Sequence, residues 1–235
     1  MRQYIVGAVF GFGMIGAASA GPLTFTATVG GIATGPDLSF LTFDSTALPA
    51  AVTLSFDNAQ IVTGSASGLY AMPYFSNGNG AFFGESPANG ADSTRYLAVE
   101  GGGTAAFTFN SPQSYFGLLW GSVDSYNALS FYDASGDLIA TIGGEDVGAG
   151  ANGNQGAAGT DYVNVFSDVA FATVVASSSG NAFELDDVAY DPPPPSAVPE
   201  PASLTMLGTA ILAIILSGTR LGSARSCTTA AAGST

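Results

Sequence analysis

Between Pro22 and Tyr190 the apolar residues come in short runs, each closed by Gly, Asn, Asp, Ser or Pro within about ten residues. Several runs alternate. In Leu23–Val29, Leu23, Phe25, Ala27 and Val29 share one face and threonines occupy the other, the period of a half-buried strand. The same pattern predicts strands at LSFLTF, AVTLSF, AQIVTG, RYLAVE, TAAFTFN, YFGLLWGS, ALSFYD, LIATIG, YVNVFS, FATVVASS and NAFELDDVAY. Within Asn181–Tyr190, strict alternation sends Phe183, Leu185 and Asp187 one way and Glu184 and Asp186 the other. A hairpin connection is expected at YDASGD, Tyr132–Asp137. No helical stripe appears before Leu204. The expected fold class is all-β: an antiparallel, jelly-roll-like β-sandwich over residues 21–190. Two glycine-rich stretches, Ser76–Asp92 and Gly143–Asp161, are expected as loops outside the core.

The two ends differ from this body. Arg2, the apolar run YIVGAVFGFGMIGA and the small residues Ala18-Ser19-Ala20 have the order of a secretory signal peptide, predicting a helical leader at 1–20. Signal peptidase would then cut between Ala20 and Gly21. At the other end, DPPPPSAVPEP holds residues 191–201 in an extended, proline-rich linker. A hydrophobic segment at 202–225 follows, and a short tail closes the chain at 226–235. From Pro201 to Ser217 and on to Thr219 nothing is charged. Those nineteen residues form a helix of roughly 28 Å, close to the ~30 Å of a bilayer core. Arg220 and Arg225 then fall on the cytoplasmic side, so the pattern predicts one transmembrane helix and an exported body.

The triplet Pro199-Glu200-Pro201, preceded by Val198 and followed by this helix and its arginines, resembles the PEP-CTERM sorting signal. The same tail also goes by the label of ice-binding-protein C-terminal domain, which does not imply ice binding. The resemblance implies an exported protein of a Gram-negative bacterium that makes extracellular polysaccharide. It also implies recognition by exosortase, which cuts near the triplet and releases or reattaches the body. TGSASGLYAMPYF, RYLAVEGGGTAAFTF, YFGLLWGSVDSYNALSFYD and NAFELDDVAYD look like segments of surface proteins in the same group. That weaker likeness implies a surface role and no enzymatic activity.

Composition narrows the chemistry. The chain has eighteen acids against four arginines, no Lys and no His, for a formal net charge of −14. Within Gly21–Ala197 Arg95 is the single cation, so there is no basic footprint for nucleic acid. The single cysteine, Cys227, lies beyond the hydrophobic tail, and no disulfide framework exists. Without His, Lys or Cys in the body, Ser-His-Asp, Cys-His and Lys-dependent schemes are excluded, as are ordinary zinc sites. Carboxylates remain. Glu184 with Asp186, or Glu145 with Asp146, are the pairs a glycosidase would need.

Calcium is the better use of acids that no cation neutralises, with Asp124, Asp133, Asp137, Glu184, Asp186 and Asp187 as candidate ligands. For Asp133 and Asp137 the competing role is turn capping. Tyr70, Tyr74, Phe82 and Phe83, in or beside the first glycine-rich loop, are the candidate sugar contacts. Trp120 is expected in the core with Phe116 and Leu118, and Arg95 is expected to pair with a carboxylate. The sequence reads as an exported, non-enzymatic envelope or extracellular-matrix protein. The alternatives are a module binding exopolysaccharide and, after it, a carboxylate glycosidase. Its expected partners are signal peptidase, exosortase, the membrane and extracellular polysaccharide, with no cofactor other than calcium.

Overall fold

The computed structural model of the chain describes residues 16–20, 22–45, 48–148 and 150–192. Eleven strands dominate it: β1 Gly16–Ala20, β2 Leu23–Val29, β3 Ser39–Leu41, β4 Val52–Val62, β5 Tyr74–Phe75, β6 Gly90–Ala91, β7 Tyr96–Gly121, β8 Asn127–Tyr132, β9 Leu138–Gly143, β10 Asp161–Ser178 and β11 Phe183–Asp191. Two short helices, α1 Asn79–Phe83 and α2 Gly144–Val147, and one 3-10 turn at Ala157–Gly159 interrupt them. The body is mostly antiparallel β-structure, as its alternating pattern predicts.

β7 and β10 hold the fold together because each is long enough to serve two layers. Near one end Asp161–Phe166 pairs with Tyr115–Trp120; near the other Thr173–Ser177 pairs with Thr104–Thr108. The first region continues through β2 to β1 on one side, and through β11 to β3 on the other. The second continues through β4 on one side, and through β8 to β9 on the other. The layers are thus joined by continuous backbone, and their inner faces meet in one hydrophobic core. Phe116, on one layer, sets its ring 5.6 Å from Phe107 and 6.1 Å from Phe131, on the other. Trp120 is solvent-free and stacks on Phe183 at 4.3 Å, in the core as expected.

Adjacent runs in the sequence fuse into single strands. RYLAVE, TAAFTFN and YFGLLWGS become β7, YVNVFS and FATVVASS become β10, and AVTLSF and AQIVTG become β4. Glycines 101–103 look like a break, yet the ladder crosses them with a register shift opposite Asp57/Ala59. A side chain at Gly103 would bring its Cβ to 2.3 Å from the Asn58 carbonyl, so glycine is required by close approach here, not by a turn.

The β7 arm at 115–121 is buried on both faces. Phe116, Leu118 and Trp120 enter the main core, while Tyr115 and Leu119 join Ala33, Phe75, Tyr162 and Ala189 in a second cluster. Gly117 lies between the rings of that second cluster; a Cβ there would stand 2.4 Å from the Tyr115 hydroxyl oxygen. Burial pushes the Tyr115 hydroxyl up to about 12, and the group bonds to Asn164 Oδ1 at 2.6 Å.

Two expectations are corrected. The stretch Gly16–Ala20, which includes Ala18 and Ala20, is extended and pairs with β2, so the leader helix does not reach over its last residues. The outer edge of β2 is a free template for backbone pairing, and β1 occupies it from Gly16 opposite Ala27 to Ala20 opposite Leu23. In β11 the alternation breaks at Asp187, whose φ of 48° inserts a bulge. Phe183 and Leu185 are core residues and so are Val188 and Tyr190, so the face changes parity and Asp187 does not follow Leu185 inward. Gly21 and residues 1–15 lie outside the described residues. So do residues 193–235, with Val198, Pro199, Glu200, Pro201, Arg220 and Arg225. Among the described residues no helix is long and apolar enough to cross a membrane.

Phe116→Ala should cost about 3–5 kcal/mol in urea unfolding, because it empties the space between the layers. Leu138→Ala, at a side chain 57% exposed, should stay within about 0.5 kcal/mol. Equal effects at the two positions would contradict the two-layer core.

Candidate functional site

A polar cleft of about 200 Å³ opens beside the connection from β10 to β11, two strands that flank β7. Four pieces of chain build it: the β4–β5 connection with Gly68 and Tyr70, the turn after β7 with Ser122, Asp124 and Tyr126, the second glycine-rich loop with Asn152, Gly153 and Gln155, and the start of β11 and the turn before it with Asn181 and Glu184.

Each piece is pinned by hydrogen bonds. Tyr126 donates its hydroxyl to the Asn181 carbonyl at 2.8 Å, and its ring lies over Gly180, where a Cβ would approach to 3.0 Å. Asn181 donates its side-chain amide to Gly68 O at 3.1 Å and accepts the Gly101 N–H at 2.6 Å. The glycine-rich loop is laced to the turn after β7: Ser125 N–H reaches Ala151 O at 3.1 Å, and Gly153 N–H reaches Val123 O at 3.0 Å. Tyr70 is held edge-on to the buried ring of Tyr96 at 6.4 Å.

Glu184 forms the floor. It is 2% exposed, and its Oε1 accepts the Ala71 N–H at 2.7 Å while Oε2 is buried without a partner. Burial, with the Asp124 charge adding to it, pushes its pKa up to about 7. Asp124 is raised as well, mainly by burial. The two carboxyls with raised pKa values share one wall with two tyrosines and three side-chain amides.

The candidate residues separate in space. Tyr70 lines the cleft, whereas Tyr74 sits in β5. Phe82 and Phe83 sit in α1: Phe82 is exposed against Phe40 at 6.3 Å, and Phe83 stacks on Tyr162 at 5.0 Å. Asp124 and Glu184 meet in the cleft. Asp133 caps its own turn, accepting the Ser135 and Asp137 N–H groups at 2.8 and 2.9 Å on Oδ1. Asp186 and Asp187 turn into a separate buried group of acids. Asp146 caps the Gly143 N–H at 3.0 Å and Glu145 is exposed, so that pair is spent on a helix start. Arg95 meets Asp44 through its backbone N–H at 2.9 Å.

Tyr126, Asn152, Gln155 and Asn181 escaped the sequence reading. The one sequence signal there is an aromatic, Tyr126, inside the polar turn SVDSYN.

No protein-family model and no curated protein matches the chain. Among solved structures it is similar to the carbohydrate-binding module CBM6cm-2 from Cellvibrio mixtus lichenase 5A in complex with cellotriose. That likeness has a TM-score of 0.34 and 11% identity, over 66% of this chain and 98% of that one. It is also similar to the enzymatically active domain of tailspike protein 4 of bacteriophage CBA120. There the TM-score is 0.28 and identity 19%, over 60% of this chain and 19% of the tailspike. At these scores neither likeness carries fold or function across.

Glu184 binds its proton more tightly in the fold, at about 7, than at its ordinary 4.5. Its contribution to stability is therefore complete below pH 4.5 and is lost as the pH rises through 7. In unfolding measurements from acid to mild alkali, wild-type stability relative to Glu184→Gln should fall by up to about 3 kcal/mol across that window. A difference that stays constant with pH would refute the assignment.

Proposed function

We propose that the body is a non-enzymatic carbohydrate-binding β-sandwich, exported and then sorted at the cell surface through its C-terminal tail. The observation that carries the binding role is the composition of the cleft: Tyr70 and Tyr126 beside the amides of Asn152, Gln155 and Asn181. A sugar ring presents an apolar C–H face and a rim of hydroxyls. Half-buried tyrosine rings suit the face, and side-chain amides both donate to and accept from the rim. The cleft adds Asp124 as an acceptor and contains no cation, which favours a neutral saccharide over an acidic one.

Burial of Glu184 supports binding without hydrolysis. A general acid must reach the glycosidic oxygen, and both Glu184 oxygens are withdrawn, one bonded to Ala71 and the other enclosed. The strand order, with long β7 and β10 crossing between layers, suits the jelly-roll reading of the sandwich.

Export and sorting rest on the sequence at both ends. Cleavage after Ala20 removes β1 and leaves β2 as the outer strand. The triplet Pro199-Glu200-Pro201 and the following hydrophobic segment resemble an exosortase substrate. The product would be an envelope or extracellular-matrix protein in contact with neutral exopolysaccharide.

In affinity electrophoresis through gels containing neutral polysaccharides, the protein should be retarded by at least one of them. Tyr126→Ala and Asn152→Ala should each weaken that binding tenfold or more, corresponding to about 1.4 kcal/mol, and no reducing ends should appear. Retardation by none, or unchanged binding in both variants, would end the binding proposal; released reducing ends would replace it with a glycosidase.

Intact mass of the protein from its native host tests the sorting separately. A species beginning at Gly21 and ending near Pro199–Pro201 is expected. A chain that extends to Thr235 and is confined to membranes would make the tail an ordinary anchor.

A further inference from the structure

Every outer strand of a sheet offers unpaired backbone groups, and natural β proteins blunt such edges against pairing with other chains. Among the described residues three outer strands are blunted. β3 spans only three residues. β4 is broken by a register shift between Asp57 and Ala59, where Asn58 takes a φ of 48°. β9 skips Ile139 between its pairs with Phe131 and Tyr132. β2 has no such device. Its ladder with β10 runs unbroken from Leu23 opposite Ser167 to Val29 opposite Asp161, and LTFTATV contains no charge, no proline and no glycine. What covers its outer side is β1.

The open part of that edge is well bounded. Pro22 O accepts the Asp168 N–H at 2.9 Å, Thr28 O accepts the Gly31 N–H at 3.0 Å and Val29 O accepts the Asn77 side-chain amide at 3.2 Å. Between those points lie Leu23–Ala27, the five residues against which β1 runs antiparallel. The edge therefore takes an added strand in a defined register. β1 itself brings only Gly, Ala and Ser, so backbone pairing holds it and its side chains add little apolar burial.

Resting on the reading that the leader is removed after Ala20, we propose that the freed edge of β2 pairs with β2 of a second copy, antiparallel, about a two-fold axis at Phe25. Parity sets the axis. Opposed residues of an antiparallel pair share a face, so an axis between residues would set each inward side chain against an outward threonine. An axis through a residue keeps Leu23, Phe25 and Ala27 of both copies on the core side. At Phe25 the pairs are Leu23 with the partner's Ala27, Thr24 with the partner's Thr26, and Phe25 with the partner's Phe25. Thr–Thr and aromatic pairs are among those that cross-strand contacts favour. Charge points to the same strip. With a formal net charge of −14 the copies repel, yet β2 carries none of that charge and offers a neutral line of approach. The stretch that follows β11 cannot fill the edge instead: four prolines come after Asp191, and they lack the N–H that a ladder needs.

The test is sedimentation velocity on the protein recovered from its native host, with intact mass read on the same sample. A chain beginning at Gly21 should pass from monomer to dimer between about 1 and 300 µM, the micromolar affinity of a small interface. Added salt should tighten the dimer by screening like charges. Thr24 is exposed and Thr26 half-buried, on the face away from the core. Thr24→Glu with Thr26→Glu sets carboxylates opposite one another and should keep the chain monomeric, as should Thr24→Lys with Thr26→Lys. Mixed in equal amounts, the two double variants should form a heterodimer, which a strand that is only destabilised would not do. Thr24→Glu alone should weaken the dimer several-fold, and it decides the matter if the double variants do not fold. A Gly21 chain that stays monomeric over that range, a dimer indifferent to the variants, or a mixture that does not pair would overturn the proposal. So would a different protein bound in place of the second copy, or species larger than a dimer, since a two-fold contact closes on itself. A mass that still includes residues 1–20 would overturn the leader reading, leave β1 on the edge and remove the proposal with it.

Discussion

The antiparallel ladder between β7 and β10 is the interaction on which the rest of the structure depends. Because both strands run through both layers, the sandwich is one hydrogen-bonded network rather than two sheets held by side chains alone. Phe107, Phe116, Phe131 and Phe171 can then interlock across the interior in edge-to-face contacts, an arrangement that aromatic quadrupoles favour. The scaffold also accounts for a chain without disulfides and with so few charged residues. Its backbone groups are satisfied by long ladders, and its core is built from aromatics, so neither cross-links nor ion pairs are needed to close it.

Polar structure is concentrated at the ends of those ladders. The cleft forms where β7 runs out at Gly121 and β10 turns back into β11, and the acidic group forms two residues further along β11. Without the extra residue at Asp187, Val188 and Tyr190 would face away from the core and Asp187 would face into it. The bulge thus preserves the apolar face of β11 and gathers its adjacent acids on the other side. Tyr96 is buried, and burial, then the charges of Glu184, Tyr70 and Asp92, hold its hydroxyl proton more tightly.

The net negative charge is not spread evenly over the surface. Glu184, Asp186 and Asp187 are within four consecutive positions and none is more than 2% exposed, while ordinary surface acids such as Asp137 remain in water. Burial of acids on this scale, with no basic side chain to balance them, is the feature least expected of a structural spacer. The second glycine-rich stretch has its main chain bonded closely to the turn after β7, and its small residues let Asn152 and Gln155 reach the cleft.

By itself the sequence determined the β class, the inward set Leu23, Phe25 and Ala27 and the burial of Trp120, because each follows from period-two alternation. It also marked the two ends as different from the body, through charge and hydropathy alone. Strand continuity was not legible, because glycines 101–103 carry the local signature of a turn and only the ladder against β4 reveals a bulge. Nor was the cleft, whose residues come from four distant segments and include Asn152 and Asn181, ordinary loop residues until the turn before β11 meets the glycine-rich loop. The acids show the division most clearly. Their number and lack of countercharges stand in the sequence, but tertiary structure decided which were capped, which entered the cleft and which were buried together, since one left-handed residue at Asp187 reverses the facing of all that follow.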